Sequence, residues 1–133
     1  MEPVTATIDY LFLARHAEAA NGLLNVIGGG CTELRRRIPP DGSIPITHFG
    51  IAVSLCIPWS ETNKQHRFYV RVIRVTTDKE AATIVRTGTH LFTLNRPSYL
   101  EPGEDQRVVL GIEAEVLFPA EGKYRLVADL NDG

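Results

Sequence analysis

The stretch FGIAVSLCI, residues 49–57, decides how this chain is read. Phe49, Ile51, Val53, Leu55 and Ile57 alternate with Gly50, Ala52, Ser54 and Cys56. Successive side chains of an extended strand point to opposite faces, so a period of two marks a strand with one face on a core. The small residues of the second face imply close cover by another layer, or an edge with little to bury.

The same period recurs along the chain. Phe68, Val70 and Val72 alternate with Tyr69, Arg71 and Ile73; Val108, Leu110, Ile112, Ala114 and Val116 alternate with Gly111, Glu113 and Glu115. Tyr124, Leu126, Ala128 and Leu130 alternate with Arg125, Val127, Asp129 and Asn131. Residues 8–14 and 23–28 read as weaker strands flanking AEAANG, whose Asn21-Gly22 pair supplies the positive φ angles of a hairpin turn. Residues 82–86 and 89–94 make two more short strands, and only 15–20 and 78–84 leave room for a helical turn. Seven to nine strands with helix nearly absent predict an all-β fold, an immunoglobulin-like antiparallel β-sandwich. At 133 residues the chain is expected to form one domain over 1–133.

Composition narrows the class. With 44% hydrophobic and 23% charged residues the chain has enough apolar side chains for a sizeable core. A net charge of -2 gives no basic field for nucleic acid, Arg35-Arg36-Arg37 being a local exception. The N-terminal MEPVTATIDYLFLARHAEA lacks a cationic leader pattern, and no segment approaches the ~18–20 apolar residues of a membrane span. A cytoplasmic location, or a mature form, is the expectation. Cys31 and Cys56 belong to no CxxC pair and are expected to be buried, reduced thiols.

If residues 46–57 and 66–77 are adjacent antiparallel strands, PWSETNKQ (58–65) is their hairpin loop. Pro58 cannot donate to a ladder and ends the first strand, while Ser60, Thr62 and Asn63 favour turns. Trp59 is then either a lid folded over the sandwich end or an exposed recognition residue. An up-and-down strand count brings loop 95–106 (NRPSYLEPGEDQ) to the same end, with Arg96, Tyr99, Glu104 and Asp105. Two polar loops, each with one aromatic residue, would form a binding rim.

Four histidines, His16, His48, His66 and His90, invite a metal or catalytic reading. In the hairpin just described, His48 and His66 lie about 30 Å apart at ~3.3 Å per residue. With His16 and His90 they form no HxH, HxxxH or Cys–His spacing, so no metal site is expected. There is no GxSxG elbow and no cysteine beside a histidine. Glu61, Glu104 and Asp105 are loop carboxylates, and Glu113 and Glu115 read as a solvent-facing stripe. GGGCTE (28–33) lacks the lysine of a phosphate-cradling loop and reads as a glycine-mediated crossing between sheets. The following arginines read as a solvated stretch, contact with an anionic ligand being the sharper option.

Four segments, AEAANGLLNVIGGG, GIAVSLCIPWSETNKQHRFYVRV, GEDQRVVLGIEAE and GKYRLVADLNDG, together resemble a small bacterial family of unknown function, found chiefly in actinobacteria. The shared pattern is a strand ending in an Asn-Gly turn and Gly-Gly, a PW---N--H-F hairpin, a Gly-x-Asp-Gln-Arg-Val entry to a strand, and a closing GxYxxxxxxxxG strand. Residues 33–46 and 78–90 resemble nothing specific. The resemblance implies no catalytic residue, cofactor or substrate. It places Trp59, Asn63, His66 and Asp105-Gln106-Arg107 inside its motifs, where Asp105 and Arg107 can also serve simply to pin the loop by a charge-assisted bond.

The expected function is therefore a non-enzymatic interaction or accessory module. Trp59, Asn63, His66, Arg96, Tyr99, Asp105 and Arg107 would form its binding surface. The expected partner is a protein or a second copy, without nucleic acid, membrane, cofactor or metal. Two alternatives stay open: a small hydrolase or lyase using His66 with Glu61 or Asp105, and a structural subunit assembling through strand edges.

Overall fold

The computed structural model describes residues 5–76 and 79–131, with side chains outside 76–82. Parts of four expectations lie outside the described residues. These are the first four residues of the N-terminal stretch, residue 77 of the 66–77 strand, residue 78 of the 78–84 turn, and the last two residues of the closing motif.

Among the described residues there are nine strands: β1 (Thr7–Ala14), β2 (His16–Ala20), β3 (Leu23–Ile27), β4 (Thr47–Pro58), β5 (Gln65–Thr76), β6 (Lys79–Arg86), β7 (His90–Thr93), β8 (Asp105–Val116) and β9 (Lys123–Leu130). Trp59–Glu61 forms a 3-10 turn. One sheet has the order β1-β4-β8. In the other, β9 pairs with one edge of β5, while β6 and β7 pair with different halves of its opposite edge. β2 and β3 form a separate two-stranded ribbon. Every pairing is antiparallel.

The two sheets face each other across one core. Phe49, Ile51, Val53, Leu55 and Ile57 of β4, with Ile112, Ala114 and Val116 of β8, meet Phe68, Val70 and Val72 of β5 and Leu130 of β9. In each alternating run these residues share one apolar face, which is why the period of two reads out the sandwich. At ~25 cal/mol per Å² of apolar surface removed from water, burial of these side chains is the main stabilising term.

The small face of β4 is covered as well. Register pairs Gly50 with Glu113 and Ala52 with Gly111, so both glycines lie on the outer face. A Cβ on Gly50 would sit 2.6 Å from the Ala17 nitrogen, and one on Gly111 would collide with the Glu18 backbone. The β2–β3 ribbon therefore lies with its backbone directly on the sheet. Ala14 and Ala17 are completely buried by this contact. Of the two options implied by the small face, close cover by another layer is the one the fold uses. Asn21 (φ 54) and Gly22 (φ 73) make the tight turn of the ribbon, both with the positive φ that its type requires.

Four expectations are corrected. Residues 16–20 are the strand β2 rather than a helical turn, because they pair residue by residue with β3 across the Asn21-Gly22 turn. Lys79–Arg86 is likewise a strand, held on β5. β4 and β5 are not a hairpin. β4 pairs with β1 and β8, so residues 58–65 cross from one sheet to the other, and the ladder separation used for His48 and His66 does not apply. Cys31 and Cys56 are free, but each is half-buried rather than buried; Cys56 is on the outer face opposite Arg107.

Gly111→Val should cost about 1–3 kcal/mol, since the new side chain meets backbone that cannot repack locally. Thermal unfolding should show this loss, and amide exchange across 16–27 should accelerate. Gly88→Val, where a Cβ meets nothing within 4 Å, should leave both unchanged. Equal effects at the two positions would contradict the packing described.

Candidate functional site

The connection 58–64 and the segment 94–104 meet at one end of the sandwich. The Asn63 N–H donates to the Leu94 carbonyl (2.8 Å), and the Trp59 N–H donates to the Glu104 carbonyl (3.1 Å). Segment 94–104 is thus fastened at both ends. Between these ties it folds on itself: Leu100 N–H donates to Pro97 O at 3.1 Å, and Glu104 N–H donates to Glu101 O at 3.0 Å. The Glu104 carboxylate also accepts from the Glu101 N–H at 2.8 Å. Tyr99 sits within the first of these turns and is 79% exposed.

Arg96 is the residue that joins the two segments. Its guanidinium lies over the Trp59 ring at 3.6 Å from the centroid. Nε donates to the Thr62 hydroxyl (2.7 Å) and an Nη donates to the Trp59 carbonyl (3.1 Å). Its backbone N–H donates to Asn63 Oδ1 at 3.2 Å. Asn63 takes a positive φ of 62, a conformation that asparagine tolerates better than most residues. Trp59 is consequently a half-buried lid fastened by a cation–π contact.

His66, near the start of β5, is fully buried. Its ring stacks on Phe92 at 5.4 Å. Asn131 Oδ1 accepts the Arg67 N–H at 2.9 Å, so the Asn131 amide nitrogen faces His66 Nδ1 at 3.0 Å. Nδ1 therefore accepts, and Nε2–H donates to the Glu61 carbonyl at 2.8 Å. Both ring nitrogens are engaged, and the partner from Glu61 is its backbone, not its carboxylate. The Glu61 carboxylate faces Lys64 at 3.7 Å. An open concavity of ≈ 690 Å³ beside His66 is lined by Thr5, Glu61, Arg67 and Asn131 among others, without Asp105 or Arg107.

The sequence-read site residues accordingly fall into separate groups. Trp59, Asn63, His66 and Arg96 share one network, and Tyr99 projects from the loop they fasten. Asp105 is exposed at the start of β8 opposite Pro58. Arg107 is on the outer face, 3.1 Å from Asp9 and 3.9 Å from the Cys56 sulfur. These two contacts, the sulfur first, raise its pKa further above the ordinary arginine range. Arg107 thus pins β1 rather than Asp105. Glu113, read as part of a solvent stripe, is exposed but accepts from the Ala17 N–H (3.3 Å) and meets His16 Nδ1, tying the ribbon to β8. Nothing in its spacing signals that role, because its partners come from a different layer. Among the described residues no group of three or more His, Cys, Asp or Glu is placed to hold a metal ion, and no helix is long and apolar enough to cross a membrane.

Residues 9–133 match the model of a family of unknown function, DUF6941, and the chain belongs to that family. Comparison with curated proteins and with solved structures found no match.

Arg96→Ala should destabilise the domain by about 1–3 kcal/mol, from the lost cation–π contact and two charge-assisted bonds. Trp59 is the sole tryptophan, so its emission reports the lid directly. The variant should shift that emission to the red and raise its acrylamide quenching. Arg96→Lys should rescue neither, because an ammonium does not present the planar fork. An unchanged spectrum in Arg96→Ala would contradict the lid.

Proposed function

We propose that this chain is a non-enzymatic interaction domain whose loop 95–104 engages a protein partner, with Tyr99 as the anchor. It would work in the manner of immunoglobulin-like domains, which bind through loops at one end of two packed sheets. The observation that carries the reading is a largely exposed aromatic residue on a loop fastened at both ends. A loop already held in place loses little conformational entropy on binding, and a tyrosine brings a large contact area with a polar tip. Glu101, Glu104 and Asp105 are exposed close to Tyr99 in the chain, which favours a partner with a basic rim around an apolar pocket. In this reading Trp59, Asn63, His66 and Arg96 set the shape of the loop and Tyr99 makes the contact.

Less supports the hydrolase reading. It needs a ring nitrogen of His66 within about 2.6–3.2 Å of a substrate proton, and both nitrogens already hold structural partners.

Tyr99→Ser should leave the unfolding free energy within ~0.5 kcal/mol of the parent, as expected for a surface position. It should reduce capture of bound proteins from lysate by about 30-fold, the effect of losing a ~2 kcal/mol anchor. Light scattering on the purified chain separates a foreign partner from a second copy. Partner capture that is identical in the parent and in Tyr99→Ser would reject the assignment.

A further inference from the structure

The opposite end of the sandwich holds a cavity that the Tyr99 surface does not touch. There residues 32–36, from the segment between β3 and β4, line a space together with residues of both sheets. The cavity has a volume of ≈ 530 Å³, within the ~300–1,000 Å³ typical of small-molecule sites. Leu13, Phe49, Val72 and Leu126 form its floor, and Phe118 and Tyr124 line one side. Phe49 and Val72 are core residues, so the cavity opens directly onto the interior. Phe118 and Tyr124 are set edge to face at 4.7 Å, and the Tyr124 hydroxyl donates to the Ala120 carbonyl. A floor of this kind offers water few hydrogen-bond partners and suits an apolar chain.

The mouth has a different chemistry. Arg36 reaches across from the covering segment, and one Nη donates to the Phe118 carbonyl. A guanidinium has five N–H donors, so this single bond leaves capacity for an anion. Arg35 and Arg125 also line the cavity, against Glu33 and Glu121. Glu33 faces Arg35 at 3.6 Å, with both side chains largely in solvent. Leu34 lines the cavity while partly exposed, and Ile46 and Leu117, next to the paired Thr47 and Val116, are exposed beside it. A cationic donor thus stands over an apolar floor, with further apolar surface at the rim.

We propose that this cavity binds a single-chain amphipathic anion, its carboxylate on Arg36 and its hydrocarbon chain over Leu13, Phe49, Val72 and Leu126. The Arg36–Phe118 bond holds the guanidinium over the cavity, and its remaining N–H groups donate to the carboxylate. The ligand class follows from the pairing of a guanidinium with an apolar floor. A purely polar anion would leave the floor unfilled, and a neutral chain would leave the donors of Arg36 unused.

Decanoate and decanol, titrated into the intact chain and followed by calorimetry and amide chemical shifts, separate the two parts of the proposal. Decanoate should bind with shifts at Leu13, Thr47 and Leu126 and none at Tyr99. Arg36→Gln should weaken decanoate by about tenfold, the value of one charge-assisted bond, and leave decanol nearly unaffected. Thr47→Phe, which fills the cavity without removing a core side chain, should weaken both. Three results would each overturn the proposal: no decanoate binding below its micelle concentration, equal weakening of both ligands by Arg36→Gln, or shifts centred elsewhere in the domain.

Discussion

The rest of the structure depends on the absence of side chains at Gly50 and Gly111. Only there can backbone lie directly on backbone, which brings the β2–β3 ribbon down onto β4 and β8. β4 is thereby buried on both faces, by the second sheet inside and by the ribbon outside. A strand covered twice is a rigid reference for its neighbours, β1 and β8. The contact is apolar at Ala14 and Ala17 and polar at its margin, where Glu113 takes the Ala17 N–H. That bond satisfies a backbone donor that the close approach would otherwise leave without an acceptor.

Rigidity in the layers is passed to the loop end by a small number of polar groups. Pro58 stops the β4 ladder, the chain turns through Trp59–Glu61, and it enters β5 in the other sheet. Such a crossing exposes main-chain groups at the sandwich end. Thr62, Asn63 and Arg96 supply partners for them, while buried His66 joins Glu61 to Asn131 at the end of β9. Residues that resemble a catalytic or recognition cluster are in this way occupied with one another. What they present to solvent is the loop bearing Tyr99, and its fixed shape is the basis for proposing that it engages a partner.

The period of two made the fold class legible, since large residues on one face of each strand can only be buried between sheets. The Asn21-Gly22 turn was legible for the same local reason: two positive φ angles need those residue types. Residues 16–20 were not. Ala and Glu favour helix in isolation, and it is pairing with β3 that makes this segment extended. Pairing partners were equally hidden. Adjacent strands often form hairpins, and nothing local in residues 46–77 says that β4 and β5 belong to different sheets. At the candidate site, the sequence brought loops 58–65 and 95–106 together but did not show Arg96 stacked on Trp59 or Asn131 beside His66. The cavity over Leu13 and Phe49 was invisible, because its lining comes from both sheets and from a segment without regular structure.

The most direct test of the central claim is a nuclear Overhauser measurement between the ribbon and the sheet in the unmodified chain. Backbone packing through Gly50 and Gly111 predicts strong cross-peaks from the Gly111 Hα protons to the Glu18 backbone, and from the Gly50 Hα protons to the Ala17 amide. It also predicts slow exchange for the Ala17 amide, which is held by Glu113. Absence of these cross-peaks, with Ala17 exchanging as freely as an exposed loop, would place the ribbon off the sheet and contradict the account.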